Sequence, residues 1–126
     1  MKIHPTFRVL GQESASAEVT SVEFADVLTI RVDFMSKRAV VTFDSPTGFR
    51  VLDEGDLGSF WAAGISSKDG WLFEIASDGW LAQESQREDF VSQHVGARRE
   101  FLVIGVDWCV SILSQSEPRV DWVDVA

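Results

Sequence analysis

Hydrophobic and polar residues alternate most clearly from Asp26 to Phe34, where Leu28, Ile30, Val32 and Phe34 interleave with Thr29, Arg31 and Asp33. A period of two puts one set inward and the other in water, which predicts a half-buried strand. Val19 to Phe24 before it and Ala39 to Phe43 after it read as its neighbours, with Ser36-Lys37-Arg38 as the second turn of an antiparallel meander. Ser45-Pro46-Thr47-Gly48 reads as a further turn, and Phe49 to Leu52 as a short strand. Arg99 to Gly105 and Cys109 to Ser114 are apolar at nearly every position, which predicts a central hairpin turning at Val106-Asp107-Trp108. Arg119 to Val123, after Pro118, is a candidate edge strand, and Gly11 to Glu18 is a small polar loop after Phe7 to Leu10.

Helical signals are fewer. Asp53 can cap a helix carrying Leu57, Phe60 and Trp61, with Gly64 as the left-handed residue that ends it. Ser85-Gln86-Arg87-Glu88 matches a capping box, which predicts a helix from Gln86 to about Val95 that stops at Gly96. Between the two, Asp69-Gly70-Trp71-Leu72 is repeated as Asp78-Gly79-Trp80-Leu81. Asp78-Gly79 supplies the positive-φ pair of a type I′ turn, so Ser77 is expected opposite Trp80 and Ile75 opposite Ala82. That register places Trp71, Phe73, Ile75, Trp80 and Ala82 on one face. The elements together predict an α+β fold: an antiparallel sheet of about six to eight strands built from sequential hairpins, with two helices on one side.

Length and composition narrow the class. The 126 residues fit a single domain, with 45% hydrophobic and 25% charged residues at the globular average. A lone Cys109 excludes an intrachain disulfide, and no apolar run has the length of a secretory signal or a membrane span. A cytoplasmic protein is the expectation. Twenty acidic against 11 basic residues give a net charge of −9, which argues against direct nucleic-acid binding because that rests on neutralising phosphates.

Candidate chemistry is sparse. His94 and Cys109 are the visible candidates for a base and thiol, although a cysteine inside Trp108-Cys109-Val110-Ser111-Ile112 is more often a small buried hydrophobe. One Cys and two His cannot close a zinc site, no calcium-loop spacing surrounds the aspartates, and no phosphate loop or dinucleotide fingerprint is present, so no cofactor is expected. Asp53, Glu54 and Asp56 form the densest acidic cluster. They can serve as half of an acid/base pair, a cation site or a docking surface, and equally as acids stabilising a helix N-terminus. Glu84, Glu88 and Asp89 stand in the same relation to the second proposed helix. Of the five tryptophans, Trp61, Trp71 and Trp80 lie near the acidic segments, whereas Trp108 at a turn and Trp122 near the C-terminus are expected to be partly exposed.

The order Phe49-Arg50-Val51-Leu52-Asp53-Glu54-Gly55-Asp56-Leu57, Trp61, Gly70-Trp71-Leu72-Phe73-Glu74, Gly79-Trp80-Leu81, Cys109-Val110-Ser111-Ile112-Leu113-Ser114 and Glu117-Pro118 resembles small bacterial proteins encoded beside toxins. These are the immunity proteins of polymorphic-toxin and contact-dependent inhibition systems. The resemblance implies a cytosolic protein that binds a cognate toxin domain, such as a basic nuclease, and blocks it; it carries over no binding residue. The expected function is therefore a non-catalytic protein-binding module whose acidic contact surface comprises Asp53, Glu54, Asp56, Trp61, Glu84, Glu88 and Asp89. The alternative is a small-molecule-binding or enzymatic domain using a carboxylate such as Glu74 or Glu84 in an apolar pocket. A homodimer formed through paired edge strands is a third arrangement.

Overall fold

The computed structural model describes residues 6–13, 16–53, 55, 58, 60, 64–65, 69–77, 79–84 and 98–125. Nine strands form two antiparallel sheets: β1 (Thr6–Gly11), β2 (Glu18–Ala25), β3 (Val27–Asp33), β4 (Lys37–Phe43), β5 (Pro46–Asp53), β6 (Leu72–Ser77), β7 (Arg99–Ile104), β8 (Trp108–Ser114) and β9 (Arg119–Asp124). The first sheet has the order β1-β6-β7-β8-β5 and the second β2-β3-β4-β9. The expected α+β fold with two helices on one sheet is thus corrected to a mostly-β fold of two sheets. Helix is confined to α1 (Trp80–Glu84), of five residues, and to isolated helical positions such as Gly58 and Phe60 among the described residues of the β5–β6 connection.

The period of two seen in the sequence decides which side chains lie between the sheets. Leu28, Ile30 and Val32 of β3 and Ala39, Val41 and Phe43 of β4 are buried, and they pack in one cluster with Phe101, Val103, Val110 and Ile112 of β7 and β8. β7 and β8 are apolar on both faces because a second cluster covers the opposite face of their sheet. It joins Phe73, Ile75, Leu102, Ile104 and Cys109 to Phe60 and Ile65 of the long β5–β6 connection. Each fully buried aliphatic or aromatic side chain contributes roughly 1.5–3 kcal/mol relative to exposure.

The expected Asp78-Gly79 hairpin does not form. β6 already has β1 on one side and β7 on the other, so Ile75 pairs with Phe7 and Glu100, not with Ala82. With both edges taken, residues 80–84 turn into α1. Its first amides find their acceptor on β7: Trp80 N–H and Leu81 N–H donate to the carboxylate of Glu100 at 3.1 and 2.8 Å. The expected single face also divides, since Leu72 and Trp71 enter the inter-sheet cluster whereas Phe73 and Ile75 enter the other.

Asp53 ends β5, and its carboxylate accepts the Gly55 N–H at 2.9 Å, the bond by which an aspartate caps a helical turn two residues on. The stop expected at Gly64 is present, with φ at +96° and the Ile65 N–H bonded to the Phe60 carbonyl at 3.2 Å. That is the closing bond of a helix C-terminus, and Phe60 and Ile65 pack in the same cluster. The helix expected from Gln86 to Val95 lies outside the described residues. Pro46 also differs from expectation: it already belongs to β5, opposite Ser114.

Candidate interaction surface

The inter-sheet space is open along the flank where β5 and β2 are the edge strands. Phe49 and Val51 pair with Ile112 and Val110, so they share the face that packs on the second sheet. That sheet ends at β2, however, and both side chains remain exposed. Phe24 of β2 reaches across to Phe49, with ring centroids 5.9 Å apart, and is still 59% exposed. At the far end of β5, Asp53 lies opposite Trp108, which is 51% exposed beside an equally open Val106. The β7–β8 turn is held there by backbone: Val106 N–H donates to the Ala17 carbonyl at 2.8 Å, and Gly105 is so close to Val19 that an added Cβ would lie 3.2 Å from its amide nitrogen. An apolar stripe of Phe24, Phe49, Val51, Val106 and Trp108 results.

Carboxylates frame that stripe. Asp26 occupies the β2–β3 turn at φ +66°, near Phe24; Glu18, Asp53 and Asp107 lie at the Trp108 end. None of these four acids is ion-paired with a described cation. The described basic side chains are engaged elsewhere. Arg8 and Arg99 share Glu74 and Glu117 at 2.6–2.9 Å, Lys37 pairs with Glu13, Arg38 with Asp33, and Arg119 with Asp44 and Asp121. Arg31 lies 3.7 Å from Glu23 of β2.

Of the residues expected to form the contact surface, the structure places two. Asp53 is exposed at the end of the stripe. Glu84 is half-buried on the opposite face of the same sheet, where its carboxylate accepts the Trp80 indole N–H at 2.9 Å. These two are not brought together. Glu54, Asp56, Trp61, Glu88 and Asp89 lie outside the described residues. Trp108 and Trp122 are both exposed, as their positions in the chain indicated. Phe24, Phe49 and Val51 were missed as surface residues because their alternation reads as core; the signal lay in β5 being an edge strand, which is a tertiary fact.

Acid/base chemistry finds little support in the named carboxylates. Hydrogen bonds from Arg99 outweigh the desolvation of Glu74 and, with Arg8, hold its carboxyl at about 2, so it is fully ionised at neutral pH. The carboxyl that burial does raise is Glu100, 1% exposed and opposed by the amides of Leu81 and Trp80 and by Arg50. Arg50 stacks on Trp80 at 4.5 Å, and burial lowers its guanidinium from the usual value. This cluster fastens α1 to the sheet and is closed to solvent at Glu100. Cys109 is buried on β8, and His94 lies outside the described residues. Among the described residues no group of three or more His, Cys, Asp or Glu is placed to hold a metal ion, and no helix is long and apolar enough to cross a membrane.

Comparison with protein-family models, curated proteins and solved structures finds no match to this chain.

Proposed function

We propose that the protein is a non-catalytic, cytosolic binding module of the immunity-protein kind, which neutralises a basic toxin domain by occupying it stoichiometrically. The observation that carries this reading is the apolar stripe on the β2/β5 flank framed by Glu18, Asp26, Asp53 and Asp107. Contiguous exposed apolar side chains are expensive to leave in water and mark surfaces that a partner covers. Trp108 has the character of an anchor: a large, stiff side chain, half exposed at one end of the stripe, that a partner would desolvate. The surrounding carboxylates, in a chain of net charge −9, accelerate encounter with a basic domain and select against acidic ones. Relative to the sequence expectation, the contact surface keeps Asp53 and gains Trp108, Asp107 and Glu18.

The test is a growth experiment with the product of the gene immediately upstream of this one, which the reading requires to be a secreted protein. Its C-terminal domain, expressed alone in a bacterial host, is expected to arrest growth, and co-expression of this chain to restore it. Trp108→Asp, and separately Asp53→Lys with Asp107→Lys, should abolish the rescue while leaving the folded β-sheet spectrum unchanged. Rescue that survives both variants overturns the surface; an upstream domain that is harmless, or toxic regardless of this chain, overturns the immunity reading.

A further inference from the structure

The opposite flank holds a different kind of recess. There the edge strands are β1 and β9, and an open groove of about 480 Å³ runs between them, lined by residues that include Leu10, Glu13, Trp71, Val120 and Trp122. Its aromatic wall is continuous: Trp71 and Trp122 meet edge-on, 5.9 Å apart between ring centroids, and Phe34 packs edge-on against Trp71 at 5.4 Å and tilted against Trp122 at 5.5 Å. Trp122 is nonetheless 42% exposed.

A cation already occupies the mouth. Lys37 Nζ sits 4.4 Å from the Trp122 ring centroid and 2.8 Å from Glu13 Oε2, so one ammonium bridges an aromatic face and a carboxylate that both line the groove. An aromatic quadrupole beside a formal negative charge is the chemistry that recognises organic cations. Asp124, exposed and paired in register with Lys37, adds negative charge beside it. The wall also contains an unmet donor. Trp71 is 2% exposed, its indole N–H has no acceptor among the described residues, and it lies against Gly11, where an added Cβ would come within 2.6 Å. Lysine and arginine side chains only donate, so this buried donor takes no part in holding a cation.

We infer that this groove binds an arginine or lysine side chain presented by an extended peptide segment, and that Lys37 is the internal occupant such a side chain displaces. Displacement costs little, because both partners of the Lys37–Glu13 pair reach solvent and exposed pairs are weak. The free edge of β9 offers main-chain groups to the peptide. The inference does not depend on the proposed function, since it concerns the other flank and is read without any toxin.

The experiment titrates the full chain with Nα-acetyl-arginine N′-methylamide and with its uncharged citrulline counterpart, following the tryptophan indole N–H resonances by NMR. The arginine probe is expected to shift the signal that Trp122→Phe removes, and the citrulline probe to leave it in place. Lys37→Met should strengthen arginine binding roughly fivefold by vacating the site, and Glu13→Gln should weaken it by a similar factor. Acetyl-Val-Arg-Val-amide should bind more tightly than the single residue. Equal binding of arginine and citrulline, or unchanged affinity in Lys37→Met, overturns the cation site. Equal affinity of the tripeptide and the single residue overturns the peptide assignment.

Discussion

The two flanks of the sandwich are finished in opposite ways. Along β1 and β9 the gap between the sheets is bridged by charge and by packed rings: Arg8, Arg99, Glu74 and Glu117 form one network, Lys37 reaches Glu13, and Phe34, Trp71 and Trp122 pack behind them. β1 is also interrupted by register shifts, which spoil an edge as a template for another strand. Along β2 and β5 the described residues form no such network of charges and rings. Among the described residues the Phe24–Phe49 ring pair and the Val106–Ala17 backbone bond span the gap, and the acids around them have no described cation to neutralise them. One flank therefore carries ion pairs and packed rings around a groove, and the other presents an apolar stripe with few contacts across it.

Stability measurements sharpen that contrast. Trp71→Ala removes a buried ring from the β1/β9 flank and should cost about 3–5 kcal/mol in urea denaturation, whereas Phe49→Ala on the β2/β5 flank should cost less than about 1 kcal/mol. Equal costs would mean that both flanks are structural and would remove the reason to regard the β2/β5 side as an interface.

The Glu74 network is next in size. Its carboxyl is held at about 2, below the ordinary 4.5, so its stabilisation is fully present above about pH 4.5 and is lost as pH falls toward 2. Discounted for solvent around Arg8 and Glu117, Glu74→Gln should cost about 1 kcal/mol at pH 7 and flatten the acid limb of the stability curve between pH 4.5 and 2. An unchanged acid limb would show that the network does not hold the β1/β9 flank. The smallest effect belongs to Arg119, whose contacts to Asp44 and Asp121 at 3.4 and 3.6 Å are exposed. Arg119→Ala should shift stability by less than about 0.5 kcal/mol in the same assay.

Local pattern was enough for the strands whose neighbours are close in the chain. β3 carries its period of two from sequence to burial without exception, and the β2-β3-β4 meander and the β7–β8 hairpin form where Ser36-Lys37-Arg38 and Val106-Asp107-Trp108 indicated turns, within a residue or two. What the chain does not announce is pairing over distance. β1 adds to β6, β5 to β8 and β4 to β9, and these three choices split one expected sheet into two. The Asp78-Gly79 signal failed for the same reason, since a turn dipeptide cannot reveal that the strand before it will have no free edge. The candidate surface was half legible. Asp53 and the exposure of Trp108 followed from position, but their meeting depends on the β5–β8 register.

The carboxylate of Glu100 reaching from β7 to the first amides of α1 implies an order of events. Five residues are too few to nucleate a helix in water, so this turn has no independent existence and borrows its start from a strand nearly twenty positions later. Hydrogen–deuterium exchange at Trp80 and Leu81 should accordingly follow the opening of β7, making those two amides reporters of whether the sheet has assembled.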